Sequence, residues 1–236
     1  LDHVDDAFKS RFESEEKMRR FVADASHELR TPLAAIRGYA ELTKKAGGKL
    51  APDLQQALGR IESESIRMTS LVEDLLLLAR LDESGQLEKE PVDLAQIVRD
   101  ALSDAYVTSP DHDWGAQGVE EAVMVEGDAQ SLHQVVVNLL ANARVHTPAG
   151  TSVEARLVQD ARSTKLYVQD SGPGIPPESR KRLFQRFARG DSSRARTSGS
   201  TGLGLSIVET IVKAHGGKLL LTSKPGKTIF TVTFPR

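Results

Sequence analysis

The residues best suited to chemistry are grouped near one end of the chain, in Ser26-His27-Glu28-Leu29-Arg30-Thr31-Pro32-Leu33. Apolar residues recur at Val22, Ala25, Leu29, Leu33, Ile36 and Ala40 in steps of three and four, which predicts a helix with one apolar face. If Val22 and Leu29 take the a position of a heptad and Ala25 takes d, His27 falls at f, turned away from the seam. Glu28 flanks it and Thr31 follows one turn later. The result is an outward imidazole with a carboxylate beside it and a hydroxyl within reach. As residues alone, these suit a solvated surface histidine as well as a reactive one. Pro32 removes a backbone donor and should bend the helix.

Four more signals follow a hundred residues downstream. Asn138 and Asn142 stand at i and i+4, so their amides share a helix face, and His146 extends that row. An amide oxygen is a hard ligand of the kind Mg²⁺ prefers. Asp170-Ser171-Gly172-Pro173-Gly174-Ile175 follows a strand pattern. A carboxylate there can accept a hydrogen bond from a base amino group, and glycines let backbone approach a ligand. Phe184-Gln185-Arg186-Phe187-Ala188-Arg189 pairs aromatic anchors with arginines that could reach a phosphate. Gly199-Ser200-Thr201-Gly202-Leu203-Gly204-Leu205 opens a helix, where backbone N–H groups can hold phosphate oxygens. Each motif alone is also found as a solvated face, an acidic turn, an amphipathic turn or a hinge.

The elements that must position these residues form two unlike halves. Leu1 to about Ala46 reads as one helix. Ala46 to Pro52 reads as a break, and Leu54, Leu58, Ile61, Ser65, Met68, Val72, Leu75 and Ala79 as the seam of a second helix. Such a hairpin has no interior of its own, and a second copy would complete a four-helix bundle. Leu81 to Glu90 reads as a linker. Beyond it the pattern is mixed: short strands at Val92–Leu94 and Ala122–Val125, helices at Ala95–Ala105 and from an Asp128 cap to His146, and a hairpin of Thr151–Gln159 with Thr164–Asp170. A short helix at Glu178–Phe184, a polar, mobile stretch over Gln185–Thr201, a helix over Gly202–His215 and two strands, Lys218–Ser223 and Thr228–Phe234, complete the reading. The turn Pro225-Gly226-Lys227 receives no binding role.

Composition narrows the function. A net charge of −2 and 5% aromatic residues argue against a nucleic-acid partner. The absence of cysteine excludes disulfides, thiolate zinc sites and cysteine catalysis. No apolar run is long enough to span a membrane, so any membrane attachment would come through an upstream segment. Leu1 stands in mid-pattern, so the chain is expected to be the cytoplasmic part of something longer.

In order and spacing these boxes resemble the sensor histidine kinases of two-component systems. Ser26–Leu33 resembles the phosphoacceptor box, Asn138–Asn142 the N box and Asp170–Ile175 the first glycine box. Phe184–Phe187 resembles the F box and Gly202–Leu205 the second glycine box. The resemblance implies an α+β multidomain chain: a signalling helix (1–20), a dimerisation and phosphotransfer hairpin (21–83), a linker (84–90) and an ATP-binding α/β sandwich of the gyrase and chaperone type (91–236). It implies ATP and Mg²⁺ as cofactors, His27 as phosphoacceptor and Glu28 as its base, with Thr31 orienting a water that dephosphorylates a partner. Asn142 would hold the metal, supported by Asn138 and His146. Asp170, Gly172 and Gly174 would surround adenine. Arg186, Arg189, Thr201, Gly202, Leu203 and Gly204 would contact phosphates. The implied partners are a second copy and the receiver domain of a response regulator. The full-length protein would sit in a bacterial cell membrane. The competing readings are a non-enzymatic dimeric ATP-sensing scaffold and a gyrase-like ATPase. The last would need a carboxylate base where Asn138 stands.

The chain departs from the family pattern where a lysine and an aromatic usually follow the second asparagine, for Val145 and His146 stand there. A charge-assisted hydrogen bond contributes roughly 1.5–3 kcal/mol. Val145→Lys is therefore expected to tighten Mg²⁺–ATP by up to about tenfold in a titration. A lower melting midpoint with no gain in affinity would show instead that the valine packs in the core.

Overall fold

The computed structural model describes residues 29, 31–36, 38, 39, 41, 43, 52–84, 89–180, 182–187 and 202–236. The signalling helix, the Ala46–Ala51 break, His27, Glu28, Arg189 and Thr201 lie outside the described residues. The chain divides into two compact units that meet between Leu75 and Leu76.

In the first unit, every described residue from 29 to 43 is helical. The second helix, α1, runs Pro52–Ser84, its residues beyond Leu75 belonging to the second unit, with proline at its first position, where no intrahelical donor is needed. Tyr39 and Arg60 join the two: an Arg60 guanidinium nitrogen donates to the Tyr39 hydroxyl at 2.7 Å, with its charge 5.5 Å from the ring centre. The expected seam is displaced. Ala57, Leu71 and Leu75 are buried and Ile61 and Met68 half-buried, whereas Leu58 is 43% and Val72 42% exposed. On the first helix Pro32 is buried and Leu33, expected on the apolar face, is 54% exposed. The reason is geometric. An apolar stripe wider than one neighbour can cover leaves its second row facing outward. The expected linker also begins later, since Leu81–Ser84 form the last turn of α1.

The second unit is a sandwich. A five-stranded sheet takes the order β2-β4-β5-β7-β6, from β2 (Asp113–Gln117), β4 (Ser152–Gln159), β5 (Ser163–Asp170), β6 (Lys218–Lys224) and β7 (Lys227–Pro235). Among the described residues only the β2–β4 pair is parallel. A separate antiparallel pair joins β1 (Glu90–Asp93) and β3 (Met124–Gly127). One sheet face is buried by parity: Val153, Ala155 and Leu157 on β4, Leu166 and Val168 on β5, and Phe230, Val232 and Phe234 on β7. Over it lie α2 (Leu94–Thr108), α3 (Ala129–His146) and α5 (Gly204–Ala214), burying Val98, Val135, Leu139, Ile207 and Ile211, among others. Each such side chain contributes about 1.5–3 kcal/mol on burial. The short α4 spans Pro177–Arg180. The strand β2 had no counterpart in the sequence reading, because Asp113-Trp114-Gly115-Ala116-Gln117 lacks alternation and four of its five residues are exposed.

Two polar ties set α3 antiparallel to α5. At one end the Asp128 backbone N–H donates to His215 Nε2 at 3.1 Å, while His215 Nδ1 donates to the Ile211 carbonyl at 2.8 Å. Burial holds the His215 imidazole below its usual pKa, which suits a neutral ring that accepts on one nitrogen. At the other end Asn138 Nδ2 donates to the Gly204 carbonyl at 3.3 Å. Asp128 also caps α3, its Oδ1 accepting from the Ser131 N–H at 2.7 Å. Asp128→Ala keeps the backbone tie and removes the cap, a loss of about 0.5–2 kcal/mol. A thermal melt should show a midpoint several degrees lower, and an unchanged midpoint would mean that the cap contributes nothing.

Candidate nucleotide site

Strand parity decides where Asp170 points. It closes β5 on the buried face, paired with Val153 on one side and Thr228 on the other, and is 5% exposed. Its Oδ1 accepts from the Gly172 N–H at 2.9 Å. Burial raises its carboxyl pKa, and the Gly172 hydrogen bond offsets part of that. Such a carboxylate is a strong acceptor for any donor that reaches it.

The glycine loop after Asp170 is clamped on three sides. A β-carbon built on Gly172 would stand 2.5 Å from Thr147 Cγ2 and 2.8 Å from Asp170 Oδ1. Gly174 has φ of 83°, and a β-carbon there would meet the Lys224 backbone at 2.7 Å. The Gly226 N–H donates to the Gly172 carbonyl at 2.9 Å, so the turn given no binding role is the loop's support. Arg180 donates to the Ile175 and Ser223 carbonyls at 2.9 and 2.7 Å, and Ser223 Oγ accepts from the Ile175 N–H at 2.8 Å. Neither Arg180 nor Ser223 carried a sequence signal, since their partners lie on other elements.

On α3, Gln134, Asn138, Asn142 and His146 form one row. Gln134 Nε2 donates to Asn138 Oδ1 at 3.2 Å, so the Asn138 amide is engaged at both ends, by Gln134 and by Gly204. Asn142 is half-buried one turn on. His146 keeps an exposed edge, yet surrounding protein withdraws enough water to hold its imidazole below the usual value. Val145 is half-buried, outside the fully buried core of α3. Among the described residues, no three His, Asp or Glu side chains gather as a metal cluster. An amide oxygen at Asn142, aided by a ligand's own phosphates, is a donor set that suits Mg²⁺.

Helix α5 starts two residues later than its sequence pattern, at Gly204. Gly202 has φ of 72°, and Leu203 at the N-cap offers no side-chain oxygen to the first turn. Leu203 itself is fully buried, so its side chain belongs to the core and only its backbone can face a ligand. A helix start beside glycine with no side-chain cap is a place for an anion. Of the F box, Phe184, Arg186 and Phe187 are half-buried, and Phe187 holds a left-handed φ of 59°, rare for a bulky residue. Thr31, in the other unit, is helical and exposed.

The sign of the Asp170 shift gives a test. Its folded pKa lies above the unfolded value, so its contribution is full below the unfolded pKa and is lost as pH rises through the folded one. At neutral pH the ionised group therefore destabilises the domain. Asp170→Asn keeps an oxygen for the Gly172 N–H and has no charge. Its melting midpoint should exceed that of the native chain at pH 7, with the gap closing toward pH 4. A lower midpoint at pH 7 would show the carboxylate to be stabilising.

Comparison with known proteins finds two family matches along the chain. Residues 17–84 match the His Kinase A (phospho-acceptor) domain, and residues 127–236 the histidine kinase-, DNA gyrase B- and HSP90-like ATPase family. The probable sensor histidine kinase TcrY of Mycobacterium tuberculosis is 55% identical over 236 residues, which cover 100% of this chain and 49% of that protein. The chain thus spans about half the length of such a relative. The structure of the mycobacterial sensor histidine kinase MprB is 32% identical with a TM-score of 0.54, covering 62% of this chain and 97% of that one. Full-length ShkA, solved in complex with AMPPNP, is 27% identical with a TM-score of 0.63 over 92% of this chain and 45% of that one. Helical phosphoacceptor region, α/β ATPase sandwich and relatives of both together mean that the chain belongs to the sensor histidine kinases.

Proposed function

We propose that this chain is an ATP-dependent autokinase that phosphorylates His27 and passes the phosphoryl group to an aspartate of a response regulator. The observation that carries the reading is the convergence in one sandwich of a buried acceptor at Asp170, an amide row at Asn138 and Asn142, and a helix start at Gly204 with no side-chain cap. Base, metal and phosphates each find a chemically suited group. The AMPPNP carried by ShkA supports a nucleotide as ligand.

In this reading Asp170 accepts from the adenine amino group. Gly172 and Gly174 let the loop approach the base. Asn142 holds Mg²⁺, with Asn138 and His146 beside it, and the ion supplies charge neutralisation at the phosphates. Gly202, Leu203 and Gly204 offer backbone N–H groups to those phosphates, with Arg186, Arg189 and Thr201 adding contacts. His27 Nε2 attacks the γ-phosphorus as the bond to the ADP oxygen breaks. Glu28 takes the proton from Nδ1, a contribution of about 10²–10⁴ in rate. Thr31 orients a water that hydrolyses the phosphoryl group from the regulator's aspartate. Leu33, Leu58, Ile66 and Val72, exposed here, supply apolar surface for a second copy. The full-length protein is membrane-anchored through a segment outside this chain.

Incubation with labelled ATP tests the assignment. The native chain should take up label that is lost in acid and survives base, as a phosphoramidate does. His27→Gln should bind ATP with native affinity and take up none. Persistent labelling of that variant would move the acceptor elsewhere.

A further inference from the structure

Behind Asp170 lies a polar chain that none of the kinase motifs contains. His112 is 7% exposed at the entry to β2. Its Nε2 stands 3.0 Å from Thr147 Oγ1, and its Nδ1 3.1 Å from Asp111 Oδ1. The ring stacks on Trp114 at 5.6 Å, and the Trp114 indole N–H donates to the Ser109 carbonyl at 2.8 Å. Backbone bonds reinforce the joint: Gly150 N–H donates to the Asp111 carbonyl at 2.6 Å and Asp113 N–H to the Thr151 carbonyl at 3.0 Å. His112 is thus held on all sides and presents one nitrogen to the end of α3.

Thr147 is the residue it meets. Thr147 Oγ1 lies 2.8 Å from the Ala143 carbonyl and 3.0 Å from His112 Nε2; with the ring proton on Nδ1, facing an Asp111 carboxylate that can only accept, Nε2 is an acceptor and the Thr147 hydroxyl is shared between it and the carbonyl. With the hydroxyl drawn that way, the staggered side chain can place only its methyl toward Gly172. There Cγ2 lies 2.5 Å from the point where a Gly172 β-carbon would stand, a point itself 2.8 Å from Asp170 Oδ1. The methyl therefore forms the wall beside the carboxylate. Rotated, the side chain would offer Asp170 a competing hydroxyl donor.

We propose that His112 is a positioning residue for base recognition. By fixing the Thr147 rotamer it keeps a methyl wall beside Asp170 and leaves that carboxylate to the exocyclic amino group of a purine. The inference rests on the reading of Asp170 as the adenine acceptor. It concerns how tightly the base is held and touches no reacting atom.

A double-mutant cycle on the whole chain, read by ATP titration and by KM against kcat for autophosphorylation, tests it. His112→Phe keeps the stack on Trp114 and removes the hydrogen-bond partner of Thr147. It should weaken ATP several-fold, mainly in KM, with kcat changed less than about twofold. In Thr147→Val no hydroxyl exists to turn toward Asp170. There the further effect of His112→Phe should shrink to a factor near one, because both partners are then apolar. Equal losses in the two backgrounds would reduce His112 to a packing residue and overturn the proposal, as would native affinity in His112→Phe. Melting midpoints report whether a variant is folded, and a destabilised His112→Phe is replaced by His112→Gln, which restores a hydrogen-bonding group and should recover affinity. Asp170→Asn separates the two claims. If it binds ATP normally, the adenine reading itself fails. If it loses ATP while His112→Phe does not, only the positioning role fails.

Discussion

A carboxylate at the wrong parity for water governs the second unit. Side chains alternate along β5, so Thr164, Leu166, Val168 and Asp170 all face the helices. The first three are ordinary core positions, whereas an unpaired charge at the fourth would be costly. The fold compensates with the Gly172 N–H, and places the carboxylate at the end of its strand. What destabilises the free domain is therefore the feature that makes it receptive. A buried acceptor with one oxygen committed is a ready partner for a ligand donor.

The surroundings of Asp170 depend on backbone geometry more than on side-chain chemistry. Gly172 has no room for a β-carbon because Thr147 and Asp170 occupy it, and Gly174 has none because the β6–β7 turn does. The glycine loop is thus gripped from α3 on one side and from the sheet edge on the other, with Arg180 bridging Ile175 and Ser223. Glycine is usually read as a sign of freedom. Here it allows close packing, and the loop it forms is well tethered.

Helices α3 and α5 carry the other half of the site, and their relative placement rests on two side-chain ties. The His215 link to Asp128 anchors the ends far from the amide row, and the Asn138 link to Gly204 brings the start of α5 against that row. Asn138 thereby acts in the frame of the site, which leaves Asn142 as the amide suited to a metal. An amide, unlike a carboxylate, also offers no base to activate water, which is what a gyrase-like ATPase would need at this position.

Much of this was legible in the residues. The order of boxes identified the family, and the caps, alternation and helical periods placed α2, α3, β4, β5 and β7 within a residue or three of their observed limits. These features are local, since periodicity and capping depend on neighbours in the chain. The row of Asn138, Asn142 and His146 follows from 3.6 residues per turn, and Asp170 was marked by the glycines behind it. Other features were hidden because they depend on what lies across space. Residues 113–117 form β2 only because β4 offers them an edge. Leu33, Leu58 and Val72 share the apolar character of their buried neighbours, and only packing decides which row is covered. Leu203 sits in a glycine box yet fills the core. His112 and Thr147 lie 35 residues apart and carry no motif. A sequence determines the chemistry each residue can offer and the helix or strand that offers it. Which groups meet, which charge is buried and which hydroxyl is turned aside are decided by tertiary contact, because those energies belong to pairs that chain order does not reveal.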